Sequence, residues 1–229
     1  GYGFYGVADI LSGAVSPSGH LTDTYAVKNA SAPSAQNFGD LQWANANPDI
    51  SMNDAIVEAE NIYIGYKYYE TRYFDTVMGQ GNAASTVGSS TGSAWNYDDE
   101  VTYPFGYGLS YSRFTYSDLQ LSPTVMTMDG NITASVKVTN DSDVDGTEIV
   151  QLYIRDKVGS IVRPVKELKS FRRVPLKGGE SRQVEFTLSP DDLAFYGIDH
   201  TYKAEPGEFE SWIGTNSKEG LQASFTLTE

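Results

Sequence analysis

Acidic side chains at every second position are the first candidates for chemistry in this sequence. Asp141, Asp143 and Asp145, followed by Gly146, match the opening of a calcium-binding EF-hand loop, D-x-D-x-D-G. Such a loop ends in a bidentate glutamate at its twelfth position, where this chain has Leu152 inside a predicted strand. We therefore predict an aspartate-rich hairpin turn at this place and no metal site.

Hydrolysis of a glycosidic bond is a second kind of chemistry, and it needs two carboxylates that flank the bond. The acids that could serve are Glu58, Glu60, Glu70, Asp98, Asp99 and Glu100. Acids are common on the surface of a protein with a formal net charge of -14, and no second landmark places two of them in one cleft. The acids by themselves therefore predict no catalytic residue. The isolated histidines, His20 and His200, are expected to be packed or solvated.

Trp95 and Tyr97 are the candidate ligand-binding residues. They follow residues 79–93, which are almost wholly Gly, Ser, Ala, Thr and Asn and are predicted to form a flexible loop. Flat aromatic faces pack against the apolar faces of sugar rings, so we predict that Trp95 and Tyr97 bind substrate. The alternative is that both rings pin the loop onto its own domain.

Composition restricts the class of protein. The 229 residues contain no cysteine, which excludes disulfides and thiolate metal sites, and the strong negative charge opposes binding to nucleic acid. Apolar runs fall short of the roughly 20 residues that span a bilayer. We expect a soluble protein with no cofactor, no nucleic-acid partner and no membrane association. A cytoplasmic or secreted location and a homodimer are both left open.

The first part of the chain has an incomplete α/β pattern. Residues 4–11 have helical spacing and end before Gly13, a suitable C-cap, and residues 21–27 favour a strand. Residues 30–54 lack sustained periodicity and are predicted to form an irregular connection. One helix and one strand cannot form a core, so we expect the chain to be a fragment or a processed product.

After residue 111 the pattern is that of a β-sandwich, with short alternating runs separated by turns. The predicted strands cover residues 114–121, 132–138, 150–154, 168–174, 184–188, 209–213 and 223–227. About seven strands predict an immunoglobulin-like or fibronectin type III-like fold. Residues 189–192, SPDD, predict one short helical turn, because they combine a cap residue, a proline at N1 and acids in the first turn.

Four motifs in order resemble the family 3 glycoside hydrolases, chiefly the β-glucosidases. The motifs are VADIL with PSGHL at residues 7–21, ENIYIGYKYYE at 60–70, YPFGYGLSY at 103–111, and GTEIVQLY at 146–153, which RPVKELKSF at 163–171 follows. Asn61 stands where the family has glycine, and His20 stands where a basic residue is usual. The motifs that carry the family's aspartate nucleophile and its acid/base glutamate do not occur in this sequence.

The resemblance implies a mainly β fold, a fibronectin type III-like (immunoglobulin-like) β-sandwich preceded by a partial α/β segment and a long irregular linker. The implied domains are the end of an α/β sandwich domain (1–54), a tyrosine-rich linker with its Gly/Ser-rich loop (55–111) and a fibronectin type III-like domain (112–229).

The implied function is that of the non-nucleophile portion of a retaining β-glucosidase, which hydrolyses terminal β-D-glucosyl residues of a β-glucoside or oligosaccharide. This portion would support domain packing and the active-site wall and would be inactive alone. Its partners would be the (β/α)₈ barrel and the α/β sandwich of the same enzyme. The alternative is a non-catalytic β-sandwich module that binds carbohydrate or protein.

Overall fold

The computed structural model of the chain describes residues 3–36, 38–39, 41–42, 49 and 54–229. It contains two compact units, which we call the sandwich unit (residues 1–22 and 104–229) and the tyrosine unit (residues 23–103). Much of the predicted irregular connection at residues 30–54 lies outside the described residues. The predicted domain boundaries, after residues 54 and 111, come from the family resemblance and differ from the limits of these two units. They stay a prediction.

Helices are few among the described residues. They are α1 Gly3–Leu11, α2 Pro33–Gln36, α3 Tyr66–Val77, α4 Tyr97–Glu100 and α5 Pro190–Leu193, with a 3₁₀ turn at Asn29–Ser31. None of these described helices has the length and apolar character needed to cross a membrane.

Strands make up most of the regular structure. They are β1 Tyr25–Ala26, β2 Leu41–Gln42, β3 Asp54–Ala55, β4 Val101–Tyr103, β5 Phe114–Ser122, β6 Val125–Thr127, β7 Ile132–Asn140, β8 Gly146–Asp156, β9 Glu167–Leu176, β10 Ser181–Leu188, β11 Phe195–Tyr196, β12 Tyr202–Lys203, β13 Gly207–Gly214 and β14 Leu221–Thr228. All seven predicted strands are present, and the mainly β fold class is confirmed.

The sandwich unit is built around a three-stranded sheet, β10-β7-β5, and a five-stranded sheet, β6-β14-β13-β8-β9. Neighbouring strands are antiparallel except β14 and β6, which are parallel. In β7 every second residue is apolar and points into the core, as the alternating sequence predicts. These residues are Ile132, Ala134, Val136 and Val138. At about 25 cal/mol per Å² of apolar surface, burial of such faces is the main stabilising contribution.

The predicted strand at residues 21–27 is much shorter in the structure, where only β1 is extended and paired. Leu21 forms other hydrogen bonds instead. Its N–H donates to the carbonyl of Tyr107 at 2.8 Å, and its carbonyl accepts from the N–H of Gly106 at 2.9 Å. The backbone groups that would extend the strand are therefore used by the segment that precedes the sandwich.

The segment at residues 104–111 packs on the outer face of the five-stranded sheet. There the ring of Phe105 meets Tyr153 edge-on, with centroids 6.5 Å apart. The carbonyl of Gly106 accepts from Gln151 Nε2 at 3.1 Å and from His20 Nδ1 at 2.5 Å. Both sides of β8 are thus buried, one in the apolar core and the other under this segment.

Two other sequence predictions concern short helices, and both are confirmed. The helix α1 covers the predicted residues 4–11, and its side chains are almost all exposed. The helix α5 begins after Ser189, whose N–H donates to the Asp192 carboxylate at 2.7 Å in a capping box.

Asp156 and Asp199, both in the sandwich unit, have pKa values shifted in opposite directions. Burial raises the pKa of Asp156, although the N–H of Val158 and nearby Arg163 oppose the shift. Within the described residues Asp156 Oδ2 is buried without a hydrogen-bond partner. Hydrogen bonds, the largest from Lys203, lower the pKa of Asp199.

We expect Asp156→Asn to raise the melting temperature at about pH 7, and the gain to shrink as the pH falls. Because the pKa of Asp156 is raised in the folded state, its contribution to the free energy of unfolding is complete below the unfolded pKa of about 3.9. That contribution is lost as the pH rises through the folded-state pKa. Asp199→Asn is the control with the opposite sign. Because the pKa of Asp199 is lowered in the folded state, its carboxylate stabilises the fold above about pH 3.9, and this stabilisation is lost in acid. Melting curves from about pH 2 to pH 8 test this, and parallel trends for the two variants would contradict it.

Candidate functional site

Trp95 and Tyr97, the predicted substrate-binding residues, lie inside the tyrosine unit. Their side chains are 2% and 3% exposed and pack with Tyr69 and Val101. The two rings meet edge-on with centroids 6.3 Å apart. Asn96 begins α4 between them by accepting a hydrogen bond from an N–H of the first turn. The geometry supports the alternative that the rings pin the loop, and a direct role in substrate binding stays a prediction.

Arg72 holds the glycine- and serine-rich loop that precedes Trp95. Its guanidinium donates to three carbonyl oxygens of the loop, those of Ala83 (2.9 Å), Ser85 (3.2 Å) and Val87 (2.8 Å). It also donates to Tyr68 Oη at 2.7 Å and lies 4.9 Å over the Trp95 ring. Composition predicted a flexible loop, but the rigid fork of five N–H donors anchors its backbone at three points.

A cleft of about 430 Å³ opens between α3 and this loop. Tyr68, Arg72 and Asp75 line one wall, because positions four and seven residues apart lie on one face of a helix. Tyr63 and Asn82 also line the cleft. The volume is within the range of roughly 300 to 1,000 Å³ that is typical of small-molecule sites.

Burial raises the pKa of the Tyr63 phenol, and the nearby Asp75 carboxylate raises it further. Tyr63 is protonated at neutral pH, and its hydroxyl can both donate and accept hydrogen bonds. Together with the carboxylate of Asp75 and the amide of Asn82, the cleft offers both donors and acceptors. Such a lining suits a small ligand with several polar groups.

Glu70 and Glu100 are the two buried acids among the carboxylates considered from sequence. Tyr97 Oη donates to Glu70 Oε1 at 2.7 Å, and the N–H of Ser90 donates to Glu100 Oε1 at 2.7 Å. Both carboxylates are thus used to hold the tyrosine unit together. The other acids are placed differently: Glu58, Asp98 and Asp99 are exposed, and Glu60 is half-buried.

The aspartate-rich segment forms a turn between β7 and β8, as predicted, but the prediction of a hairpin is wrong, because β7 and β8 lie in different sheets and do not pair with each other. Asp145 Oδ1 accepts from the N–H of Gly178 at 3.0 Å, and Asn140 Nδ2 donates to the Val144 carbonyl at 2.8 Å. Leu152, at the position of the EF-hand glutamate, is fully buried in the apolar core. In the part of the chain that the structure describes, no group of three His, Asp or Glu side chains is placed to hold a metal ion.

Arg72 and Tyr63 are the site residues that sequence reasoning missed. The available signal was weak: Tyr68 and Arg72 are four residues apart, a spacing that makes side chains neighbours in a helix, but the sequence analysis predicted no helix here. A tryptophan at the end of the loop could have suggested a partner for the arginine. The carbonyl contacts of Arg72 depend on the path of the loop, which its composition does not predict.

Comparisons with known proteins agree with the fold. The family model of the fibronectin type III-like domain matches residues 148–217 of this chain. A β-glucosidase of Bacteroides ovatus is 38% identical over 93% of this chain, which covers 24% of that protein. A putative β-xylosidase of Formosa agariphila is 45% identical over 57% of this chain and 17% of its own length.

A solved structure extends the likeness to both units. β-Glucosidase 3B of Thermotoga neapolitana, in complex with α-D-glucose, matches 97% of this chain and 26% of its own, with 30% identity and a TM-score of 0.72. The chain thus spans about a quarter of the length of the β-glucosidases that it matches.

Proposed function

Because this chain is homologous to the C-terminal part of family 3 β-glucosidases, we propose that it works as the non-nucleophile portion of a longer β-glucosidase. The proposed reaction is hydrolysis of terminal β-D-glucosyl residues with retention of configuration. The similarity over 93% of the chain carries the proposal, because it includes the tyrosine unit as well as the sandwich. A matching sandwich alone would indicate only a fold.

The chain would support domain packing and part of the active-site wall. Its proposed partners are a (β/α)₈ barrel and the remainder of an α/β sandwich in the same enzyme, with a β-glucoside or oligosaccharide as substrate. The internal hydrogen bonds of Glu70 and Glu100 support the view that the isolated chain is inactive.

A β-xyloside is a second candidate substrate, since the β-xylosidase relative is 45% identical in the region that it shares with this chain. The alternative of a non-catalytic module is less well supported. Its carbohydrate-binding version depended on exposed aromatic rings at Trp95 and Tyr97, and both rings are buried.

The test compares the full gene product that contains this chain with the 229-residue chain alone. We expect the full product to cleave 4-nitrophenyl β-D-glucopyranoside faster than the β-D-xylopyranoside, and the chain alone to match the buffer rate. Turnover by the chain alone that survives replacement of Glu58, Glu60, Glu70 and Glu100 by glutamine would contradict the proposal. Inactivity of the full product on both substrates would also contradict it.

A further inference from the structure

We propose that the cleft between α3 and the loop of residues 80–87 binds a neutral saccharide of one or two pyranose rings. The choice of a saccharide rests on the proposed function, whereas the location rests on the geometry of the tyrosine unit. The site differs from the one predicted from sequence, because Trp95 and Tyr97 do not line this cleft.

The wall of the cleft is formed before a ligand binds. The guanidinium of Arg72 holds the loop carbonyls from Ala83 to Val87, and the N–H of Ser85 donates to the Asn82 carbonyl at 2.8 Å. A loop that is already ordered loses little conformational entropy on binding, so weak polar contacts suffice for measurable affinity.

Trp95 supports this wall from behind. Its buried ring packs against the guanidinium of Arg72, which in turn contacts Tyr68 in the cleft. Trp95 is therefore a positioning residue, which acts on the cleft through Arg72. This role accounts for a tryptophan at the end of a loop that otherwise consists of small and polar residues.

Charge in the cleft favours a neutral ligand. Arg72 and Asp75 are the charged side chains in its described lining, and their charges cancel. The donors of Arg72 are directed to loop carbonyls and to Tyr68, which leaves them poorly placed to bind an anion. The net charge of -14 on the chain also repels anions.

The remaining lining has the mixed character that a pyranose ring requires. Tyr63 and Tyr68 supply aromatic rings for the C–H faces of a sugar, and Thr71 and Asn82 supply polar atoms. Hydroxyl groups both donate and accept, so a lining of mixed donors and acceptors can satisfy several of them.

The test titrates the 229-residue chain with glucose, cellobiose and xylobiose by calorimetry, to about 20 mM sugar. We expect saturable binding of at least one sugar, with a Kd near 1 mM or below. Tyr63→Ala and Asn82→Ala should each weaken binding about tenfold or more. Tyr196→Ala, at an exposed tyrosine of the sandwich unit, is the matched control and should leave binding unchanged.

A second measurement keeps the result interpretable if a cleft variant unfolds. Amide chemical shifts of the unaltered chain should move on addition of the bound sugar, chiefly at residues 80–87. The proposal fails if the three sugars do not bind, if both folded cleft variants bind as tightly as the unaltered chain, or if the shifts map elsewhere. Equal affinity for sorbitol, an open-chain polyol, would also overturn it.

These outcomes are separate from those of the proposed function. Active full-length enzyme together with a chain that binds no sugar would remove the cleft site and leave the β-glucosidase in place. Sugar binding at the cleft together with an inactive full-length product would support the cleft site and contradict the proposed β-glucosidase function.

Discussion

Replacing Gly106 by alanine is expected to destabilise the sandwich unit by about 3 to 5 kcal/mol. Gly106 has φ +77°, where a Cβ costs roughly 1 to 2 kcal/mol. A Cβ there would also lie 2.8 Å from Cδ and Nε2 of Gln151. Gln151 is a flexible residue type, but here the residue is 3% exposed, and its amide cannot move without loss of hydrogen bonds.

Those hydrogen bonds are the larger part of the expected loss. Gln151 Nε2 donates to the carbonyls of Thr215 at 2.5 Å and Gly106 at 3.1 Å, and its Oε1 accepts from Tyr153 Oη at 2.6 Å. A buried polar group left unpaired costs about 1 to 3 kcal/mol. Displacement of this side chain would leave several such groups.

Gly179→Ala is the matched control, because Gly179 has φ +74° in the same unit and open space around its Cβ position. It should lose only the conformational part, roughly 1 to 2 kcal/mol. Urea unfolding of both variants measures the difference. Equal losses would show that the close approach to Gln151 has no energetic consequence.

Removing the side chain of Arg72 should loosen the tyrosine unit, with a loss of about 3 kcal/mol in its unfolding free energy. Arg72→Ala removes the donors for three loop carbonyls and the cation that covers Trp95. Hydrogen exchange should accelerate in peptides that cover residues 80–97. Arg72→Lys should lose nearly as much, because a single ammonium cannot reproduce the guanidinium fork.

Arg182→Ala is the control for loss of a positive charge. Arg182 pairs with Glu180 at 2.7 Å, but both side chains are substantially exposed. Such pairs contribute little, so the change should stay within about 0.5 kcal/mol. Unchanged exchange in residues 80–97 of Arg72→Ala would mean that other contacts order the loop, and would weaken the case for a preformed cleft.

The sandwich was predictable because its strands bury one face each, so their alternating pattern is local and visible in the sequence. The short strand β6 was not predicted. It has three residues, and its parallel partner β14 lies far along the chain. The predicted strand at residues 21–27 was too long for a similar reason, since a distant segment takes the hydrogen bonds of Leu21.

The sequence by itself determined the β-sandwich, the aspartate-rich turn and the family resemblance, because periodicity, turn residues and ordered motifs depend on neighbours along the chain. The tertiary structure alone decided which aromatic rings are buried and where a cleft opens. The cleft depends on Arg72, which holds in place a loop that composition alone predicts to be flexible. Local sequence patterns do not encode contacts between residues that are distant in sequence. For that reason the sequence pointed to Trp95 and Tyr97, whereas the structure indicates the neighbouring cleft as the candidate site.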